Sequence, residues 1–205
     1  MSENTKVHIV YCHPDSNSIT NEIKKAYIRG LNSNKIPYTI SDLYKQHFQS
    51  DITRKEYQRE SNNASLDLSR DVLKQQRLIN DANVLTFIFP LFWMDAPSKL
   101  VGYFSRVFTL GFRYTNDDTE SSMNRLRQVN FLIVTGSSYE DLLKDGKIDA
   151  LRTVFVDDRI ADKADQTRMY FFSNTAAHKR ERVLNRERYI RRAQKIGRLT
   201  PKRIW

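Results

Sequence analysis

The 205-residue sequence has one cysteine, six glycines and no long hydrophobic run. The lone Cys12 excludes an internal disulfide framework, and no cluster of histidine and cysteine suits a metal ion. The longest apolar stretch, 84–94, is too short to span a bilayer and has a proline in its middle, so no membrane insertion is expected. The start of the sequence lacks the basic and apolar segments of a secretory signal, which favours a cytoplasmic protein.

Acidic residues are in the minority, but the imbalance is local. The formal net charge is +10, and the segment from Lys179 to Arg203 carries eleven basic residues against two acidic ones. We expect a basic C-terminal helix and tail from about residue 178, with the charges on a solvated face. A nucleic-acid binder more often spreads such charges along a groove or interleaves them with stacking aromatics, so nucleic acid is not the favoured partner.

Apolar runs rich in β-branched and aromatic residues alternate with segments of helical spacing. This alternation predicts an α/β fold, a doubly wound five-stranded parallel sheet with helices on both faces, in a single domain from 1 to 205. Two polar segments, 45–66 and 113–128, are interpreted as long connections beside a site or a subunit contact. The predicted strands are 6–12, 37–41, 83–89, 129–135 and 167–173, and the predicted helices are 18–31 and 97 to about 109.

Ligands of an open parallel sheet bind at the carboxyl ends of its strands, and three segments are predicted to meet there. The first is HPDSNSIT at 13–20, which lacks the glycines of common phosphate loops but offers His13, three hydroxyls and a helix start. These groups suit an anion such as phosphate. The same residues also fit a plain turn in which Ser18 caps the helix, and the spacing alone does not decide between the two.

The other two segments follow the third and fourth predicted strands. PLFWMDAP, from Pro90, places aromatic and backbone groups where they could border a planar ring, although such aromatics more commonly pack in a core or a dimer contact. TGSS, from Thr135, has a glycine that permits close approach of a ligand to the backbone, although it also fits an ordinary turn.

Taken together, these residues resemble the NAD(P)H:quinone oxidoreductases with a flavodoxin-like fold. The resemblance runs from the first strand and HPDSNSIT through FPLFWMDAPSKLVGYFSRVFTLGFRY and FLIVTGSS to RMYFF, and covers most of the chain. It implies a tightly bound flavin, FAD or FMN, that takes hydride from NAD(P)H at N5 and passes it to a quinone or similar small acceptor. It also implies a homodimer with the active site at the subunit interface.

The resemblance further assigns roles to individual residues. The flavin phosphate or pyrophosphate is held by His13, Ser18, Ile19 and Thr20. The isoalloxazine is lined by Pro90, Leu91, Phe92, Trp93 and Met94. Its pyrimidine edge is closed by Thr135, Gly136 and Ser137, whose backbone N–H groups also stabilise the reduced ring.

The sequence also departs from the mammalian members of the family. It has Ser137 in place of their second glycine, and no histidine follows Tyr139 until His178, so their proton relay is not carried over. Tyr139 is the one candidate catalytic side chain, although a surface tyrosine in a loop is the favoured interpretation. Two alternatives to the enzyme stay open: a flavodoxin-type electron carrier, which is usually acidic, and a flavin-binding regulatory protein.

Overall fold

The computed structural model describes residues 5–62, 66–116, 120–176 and 179–200. Within these ranges five strands form one parallel sheet, and α-helices connect them. The strands are β1 (Val7–Tyr11), β2 (Tyr38–Asp42), β3 (Val84–Pro90), β4 (Leu126–Val134) and β5 (Ala164–Phe172). The α-helices are α1 (Ile19–Ser33), α2 (Arg54–Asn62), α3 (Arg70–Asn80), α4 (Ser98–Val107), α5 (Tyr139–Lys144), α6 (Lys147–Arg152) and α7 (Lys179–Leu199).

The strand order is β2-β1-β3-β4-β5, and every neighbouring pair is parallel. This is the order of flavodoxin-like doubly wound sheets, in which the chain reverses its winding between β1 and β3. The predicted fold class is therefore confirmed. None of the helices in the described ranges has the length and apolarity needed to cross a membrane.

Helices cover both faces of the sheet, and on each face a separate cluster of buried hydrophobic residues lies beneath them. Helices α1 and α7 pack on one face, where Gly30 and Gly197 let the two backbones touch. A Cβ on Gly197 would lie 2.1 Å from the Tyr27 carbonyl oxygen, so this contact requires glycine. Helices α3, α4 and α6 cover an aromatic cluster on the other face, in which the rings of Phe87 and Phe131 stack at 5.0 Å.

One predicted connection is wrong in part, because 45–66 contains helix α2. The helix begins with a capping box, in which Glu56 Oε2 accepts the Thr53 N–H at 2.8 Å and Thr53 Oγ1 accepts the Glu56 N–H at 3.2 Å. The same carboxylate binds the buried Arg106 of α4 at 2.6 Å. A tertiary ion pair and a cap thus stabilise a segment whose periodicity is weak.

The predicted strand ends need smaller corrections. Strand β4 begins at Leu126, inside the predicted connection 113–128, because it pairs with β5 from Leu126 opposite Ala164 onward. Strand β5 begins three residues before its predicted start for the same reason. Helix α7 lies where the basic C-terminal helix was expected, whereas residues 201–205 of the predicted tail are outside the described ranges.

Candidate functional site

The three predicted segments leave the sheet at one edge, from the neighbouring strands β1, β3 and β4. The Cys12 N–H donates to the Ile88 carbonyl at 3.0 Å, and the Leu91 N–H donates to the Val134 carbonyl at 2.8 Å. These bonds continue the parallel ladders up to the points where the segments begin. The fold therefore brings together residues that are far apart in sequence, at the winding reversal where such sheets bind ligands.

The first segment, which we call the hydroxyl loop (residues 13–20), is stabilised by its own side chains. The Asp15 N–H donates to Nδ1 of His13 at 2.9 Å, and the Ser18 hydroxyl donates to the Asp15 carbonyl at 2.8 Å. Ser18 Oγ also accepts the Asn21 N–H at 3.2 Å and so caps α1. The Ser18 cap, which the sequence offered as the alternative to an anion site, is therefore present.

The cap leaves backbone donors available at the start of α1. The first N–H groups of a helix have no carbonyl partner within it, so those of Ile19 and Thr20 face the loop without an intrahelical acceptor. Ser18 and Ile19 are half-buried, and Thr20 is buried. The positive end of a 15-residue helix thus lies under a partly shielded loop, which favours an anion there.

His13 is half-buried in the same loop. Burial lowers the pKa of its imidazole, and the carbonyl and carboxylate of Asp15 act in the opposite direction. Nδ1 lies 2.9 Å from the Asp15 nitrogen and 3.0 Å from the Asp15 carbonyl oxygen, so it can accept from the first or donate to the second according to the tautomer. In the tautomer with its hydrogen on Nε2, the ring adds a second kind of donor for an anion.

Tyr11, the last residue of β1, is a functional candidate that the sequence analysis missed. Its side chain is 2% exposed, and among the described residues its hydroxyl has no hydrogen-bond partner. Burial raises the pKa of Tyr11 to about 12, and the nearby Ser18 hydroxyl acts against that shift without reaching hydrogen-bonding geometry. Lys24 lies 3.8 Å above the ring. An unpaired buried donor beside a helix start is a costly arrangement unless a ligand completes it.

The second segment contains a tight turn from Phe92 to Asp95. The Phe92 N–H donates to the Asp95 carbonyl at 2.9 Å, and the Asp95 N–H donates back to the Phe92 carbonyl at 3.0 Å. Trp93 and Met94 between them have φ values of +53° and +63°, as the two central residues of a type I′ turn require. Neither residue is glycine or asparagine, and each such conformation costs on the order of 1–3 kcal/mol.

Two side chains of this 92–95 turn are exposed to solvent. Trp93 is fully exposed, and Phe92 is 49% exposed. Met94 and Leu91 are half-buried and pack against the aromatic core, while Pro90 ends β3 as a buried residue. Strain and an exposed tryptophan on one turn are typical of a binding surface rather than of a plain connection.

The third segment continues from β4. Thr135 is buried and its Oγ1 accepts the Ser137 N–H at 3.3 Å, while Gly136 and Ser137 are exposed. The Ser137 carbonyl accepts the Asn174 N–H at 2.7 Å, which fixes the loop to the end of β5. Tyr139, at the start of α5, is 38% exposed and lies 5.6 Å from the Phe171 ring.

The 92–95 turn is connected to a distant part of the chain through Asp95. Its carboxylate Oδ1 accepts the Ala96 N–H at 2.7 Å and lies 3.4 Å from Nη2 of Arg159. The Arg159 side chain is only 13% exposed, and burial lowers its pKa while Asp95 acts against the shift. No local pattern in the sequence connects these two residues, and neither was predicted as a site residue.

A cleft of about 640 Å³ lies elsewhere, between α2, α3 and the segment that follows β2. It contains none of the residues predicted for the site. The buried Arg106 on its wall donates to Glu56, Asp71, Ser69 and the Gln49 carbonyl, so its donors are already used. We interpret this cluster as a structural connection between three helices.

The remaining reactive side chains of the described residues do not form a second centre. Cys12 is buried, and burial raises the pKa of its thiol to about 12, which does not suit a nucleophile. His47 is exposed. Across the described ranges, no three histidine, cysteine, aspartate or glutamate side chains are grouped as metal ligands.

Comparison with known proteins agrees with the observed fold. The family defined by a flavodoxin-like fold matches residues 5–156. An NAD(P)H:quinone oxidoreductase structure from Methanothermobacter marburgensis is 30% identical, covers 98% of this chain and 100% of its own, and superposes with a TM-score of 0.88. A Bacillus anthracis FMN-dependent NADH-azoreductase, in complex with FMN, has a TM-score of 0.69 at 17% identity, with 97% and 100% coverage.

Curated relatives are similar over shorter stretches. The mouse ribosyldihydronicotinamide dehydrogenase [quinone] is 28% identical over 156 residues, which are 69% of this chain and 68% of the mouse protein. The chain spans about half the length of other mammalian relatives that it matches.

Proposed function

Because the chain belongs to the family of NAD(P)H:quinone oxidoreductases with a flavodoxin-like fold, we propose that it is a flavin-dependent NAD(P)H oxidoreductase. It passes hydride from a nicotinamide to the flavin and then to a quinone or similar small acceptor. The observation that carries the proposal is the meeting of the hydroxyl loop, the 92–95 turn and the 135–137 loop at the ends of three neighbouring strands.

The residues present fit a flavin that carries a phosphate or a pyrophosphate, as FMN and FAD do. The helix start supplies backbone donors, and Tyr11 contributes a buried hydroxyl that has no partner among the described residues. A phosphate could accept from both and would remove the cost of burying an unpaired phenol. The proposed phosphate ligands are therefore Tyr11 together with His13, Ser18, Ile19 and Thr20.

The ring of the flavin would lie against the second and third segments. Exposed aromatic surface and strained backbone on the 92–95 turn suit a planar partner, and Gly136 permits close approach of the backbone. The proposed contacts of the isoalloxazine are Pro90, Leu91, Phe92, Trp93 and Met94, and those of its pyrimidine edge are Thr135, Gly136 and Ser137.

When bound, the flavin supplies the hydride chemistry, so the protein supplies binding and positioning. The backbone N–H groups around Gly136 and Ser137 would donate to the electronegative edge of the ring. The 92–95 turn would orient the ring for a nicotinamide and shield one face from water. Tyr139 stands at the same edge and is the side chain proposed to donate a hydrogen bond to the acceptor.

We further propose that the protein is a cytoplasmic homodimer whose active site lies at the subunit interface. Trp93 and Phe92 support this, because a fully exposed tryptophan beside a half-exposed phenylalanine is typical of a contact surface. Sedimentation of wild type and a Trp93→Ser variant tests the proposal. A dimer in the first and a weakened dimer in the second are expected, and a monomeric wild type would contradict it.

The visible spectrum of the purified protein tests the proposed function. We expect a yellow protein that releases FMN or FAD, bleaches with NADPH or NADH without oxygen, and recovers its colour when a soluble quinone is added. Bound flavin without quinone turnover would favour the electron carrier or the regulatory protein. A colourless chain that takes up neither flavin would contradict all three.

A further inference from the structure

We infer that Arg159 is a positioning residue, which acts through Asp95 to hold the 92–95 turn in its strained conformation. The inference rests on the proposed function only in that this turn is the proposed support of the flavin ring. The contact itself joins two residues that are 64 positions apart in the sequence, and it can be tested in flavin-free protein.

The Arg159 guanidinium is held in place by two aromatic rings. Its central carbon lies 4.5 Å from the centroid of Phe104 and 4.5 Å from that of Phe155, both of which belong to the buried aromatic core. Cation–π contacts on a planar guanidinium restrict its orientation as well as its position. The main chain is fixed too, because the Arg159 carbonyl accepts a hydrogen bond from Arg113 Nε at 2.8 Å.

The restricted guanidinium reaches the end of the turn. Nη2 lies 3.4 Å from Oδ1 of Asp95, whose N–H and carbonyl form the two bonds that close the turn. Trp93 and Met94 are the one consecutive pair of non-glycine residues with positive φ in the described ranges. Such a pair persists only when surrounding contacts enforce it. Met94 itself packs against the core, and Asp95 is where a charged side chain of the core contacts the turn.

Arg159 is poorly suited to a purely structural role. Its Nη1 is buried and has no hydrogen-bond partner among the described residues, whereas Arg106 uses all three of its nitrogens. A buried, incompletely paired cation costs stability, and an apolar residue of similar volume often replaces one without loss. A residue that costs stability in this way is expected where it serves function.

The incomplete pairing of the buried Arg159 allows its effect on stability to be separated from its effect on the turn. Arg159→Met fills the same volume and removes the desolvated charge, so we expect an unchanged or higher Tm together with a looser turn. Looseness is measured in flavin-free protein as hydrogen exchange at the Phe92 and Asp95 amides, where we expect about tenfold faster exchange. Arg159→Lys keeps the charge without the planar stack and should lie between wild type and Arg159→Met.

Two further variants separate positioning from stability. Asp95→Asn keeps the acceptor for the Ala96 N–H but removes the ion pair, so it should loosen the turn as Arg159→Met does. The double variant should add nothing, because both changes break one contact. The control is Leu151→Ala, in α6, which removes buried surface from the same core cluster and should lower Tm without selectively exposing the turn.

The inference is overturned if Leu151→Ala speeds exchange at the turn as much as Arg159→Met does, or if the effects of the Arg159 and Asp95 changes add. The dissociation constant for FMN is a second readout, which should rise about tenfold in Arg159→Met and Asp95→Asn. If wild type takes up no flavin, the proposed function fails, while hydrogen exchange still decides the role of Arg159.

Discussion

The hydroxyl loop and the 92–95 turn leave neighbouring strands, yet they are stabilised in different ways. Each bond that shapes the hydroxyl loop joins residues within five positions of one another, such as Ser18 Oγ to the Asp15 carbonyl. The turn has two strained residues and a core contact from Arg159. One segment is thus specified locally, and the other depends on the packed core.

The two segments therefore suit different parts of a ligand. A loop with ordinary backbone and a helix cap can offer donors to an anion whatever surrounds it, and so it can bind phosphate as a preformed site. A strained turn holds its shape only while the core is intact, which suits a contact that must orient a ring. The following predictions separate the two segments, from the largest expected effect to the smallest.

The largest effect concerns the sheet beneath both segments. His8 in β1 is fully buried, with Thr39 Oγ1 at 2.8 Å, and burial lowers its pKa from 6.5 to about 4. The unfolded chain therefore binds a proton at a higher pH than the folded one. As pH falls from 6.5 to about 4, the free energy of unfolding should drop by ~3 kcal/mol on account of His8.

Urea unfolding across that pH range measures the effect. A His8→Gln variant should show a flatter dependence on pH, whereas the exposed His47→Gln is the control and should follow wild type. An equally steep dependence in His8→Gln would refute the role of His8. The result also fixes the pH range, above 6.5, in which the two segments are best compared.

The next effect separates capping from phosphate binding at Ser18. Aspartate is as good a cap as serine, so Ser18→Asp should keep the stability of wild type while its carboxylate repels a phosphate. We expect the FMN dissociation constant to rise about 100-fold, or about 2.7 kcal/mol. Ser18→Ala should instead lose about 1 kcal/mol of stability. Unchanged FMN affinity in Ser18→Asp would mean that the loop is only a turn.

The smallest effect concerns strain in the turn. Trp93 is fully exposed and has φ of +53°, a conformation that asparagine tolerates better. In the dissociated monomer, Trp93→Asn should raise the free energy of unfolding by about 1 kcal/mol, while it weakens flavin binding. Phe92→Asn is the matched control, since Phe92 does not have a positive φ. Equal stability changes in the two variants would argue against strain at Trp93.

The same contrast explains what could be predicted from the sequence. The parallel sheet and its edge follow from the alternation of apolar strands with helical segments, and the cap at Ser18 follows from local chemistry. Helix α2 carries a local signal too, the Thr53–Glu56 capping box, but its weak periodicity hid it, and Arg106 completes it from 50 positions away.

Asp95 and Arg159 could not be predicted, because nothing local distinguishes an arginine that will lie between two phenylalanine rings. Tyr11 is similar, since the apolar run of β1 predicts its burial but not that its hydroxyl lacks a partner among the described residues. Contacts made only after packing are thus the part of the site that the sequence alone does not reveal.

The central claim is that the hydroxyl loop grips a phosphate while the turn supports the attached ring. Titration of flavin-free protein with FMN and with riboflavin, which lacks the phosphate, tests this claim most directly. We predict that FMN binds at least ~100-fold more tightly than riboflavin. Equal affinity for FMN and riboflavin, or binding of neither by a protein that also takes up no FAD, would contradict the account.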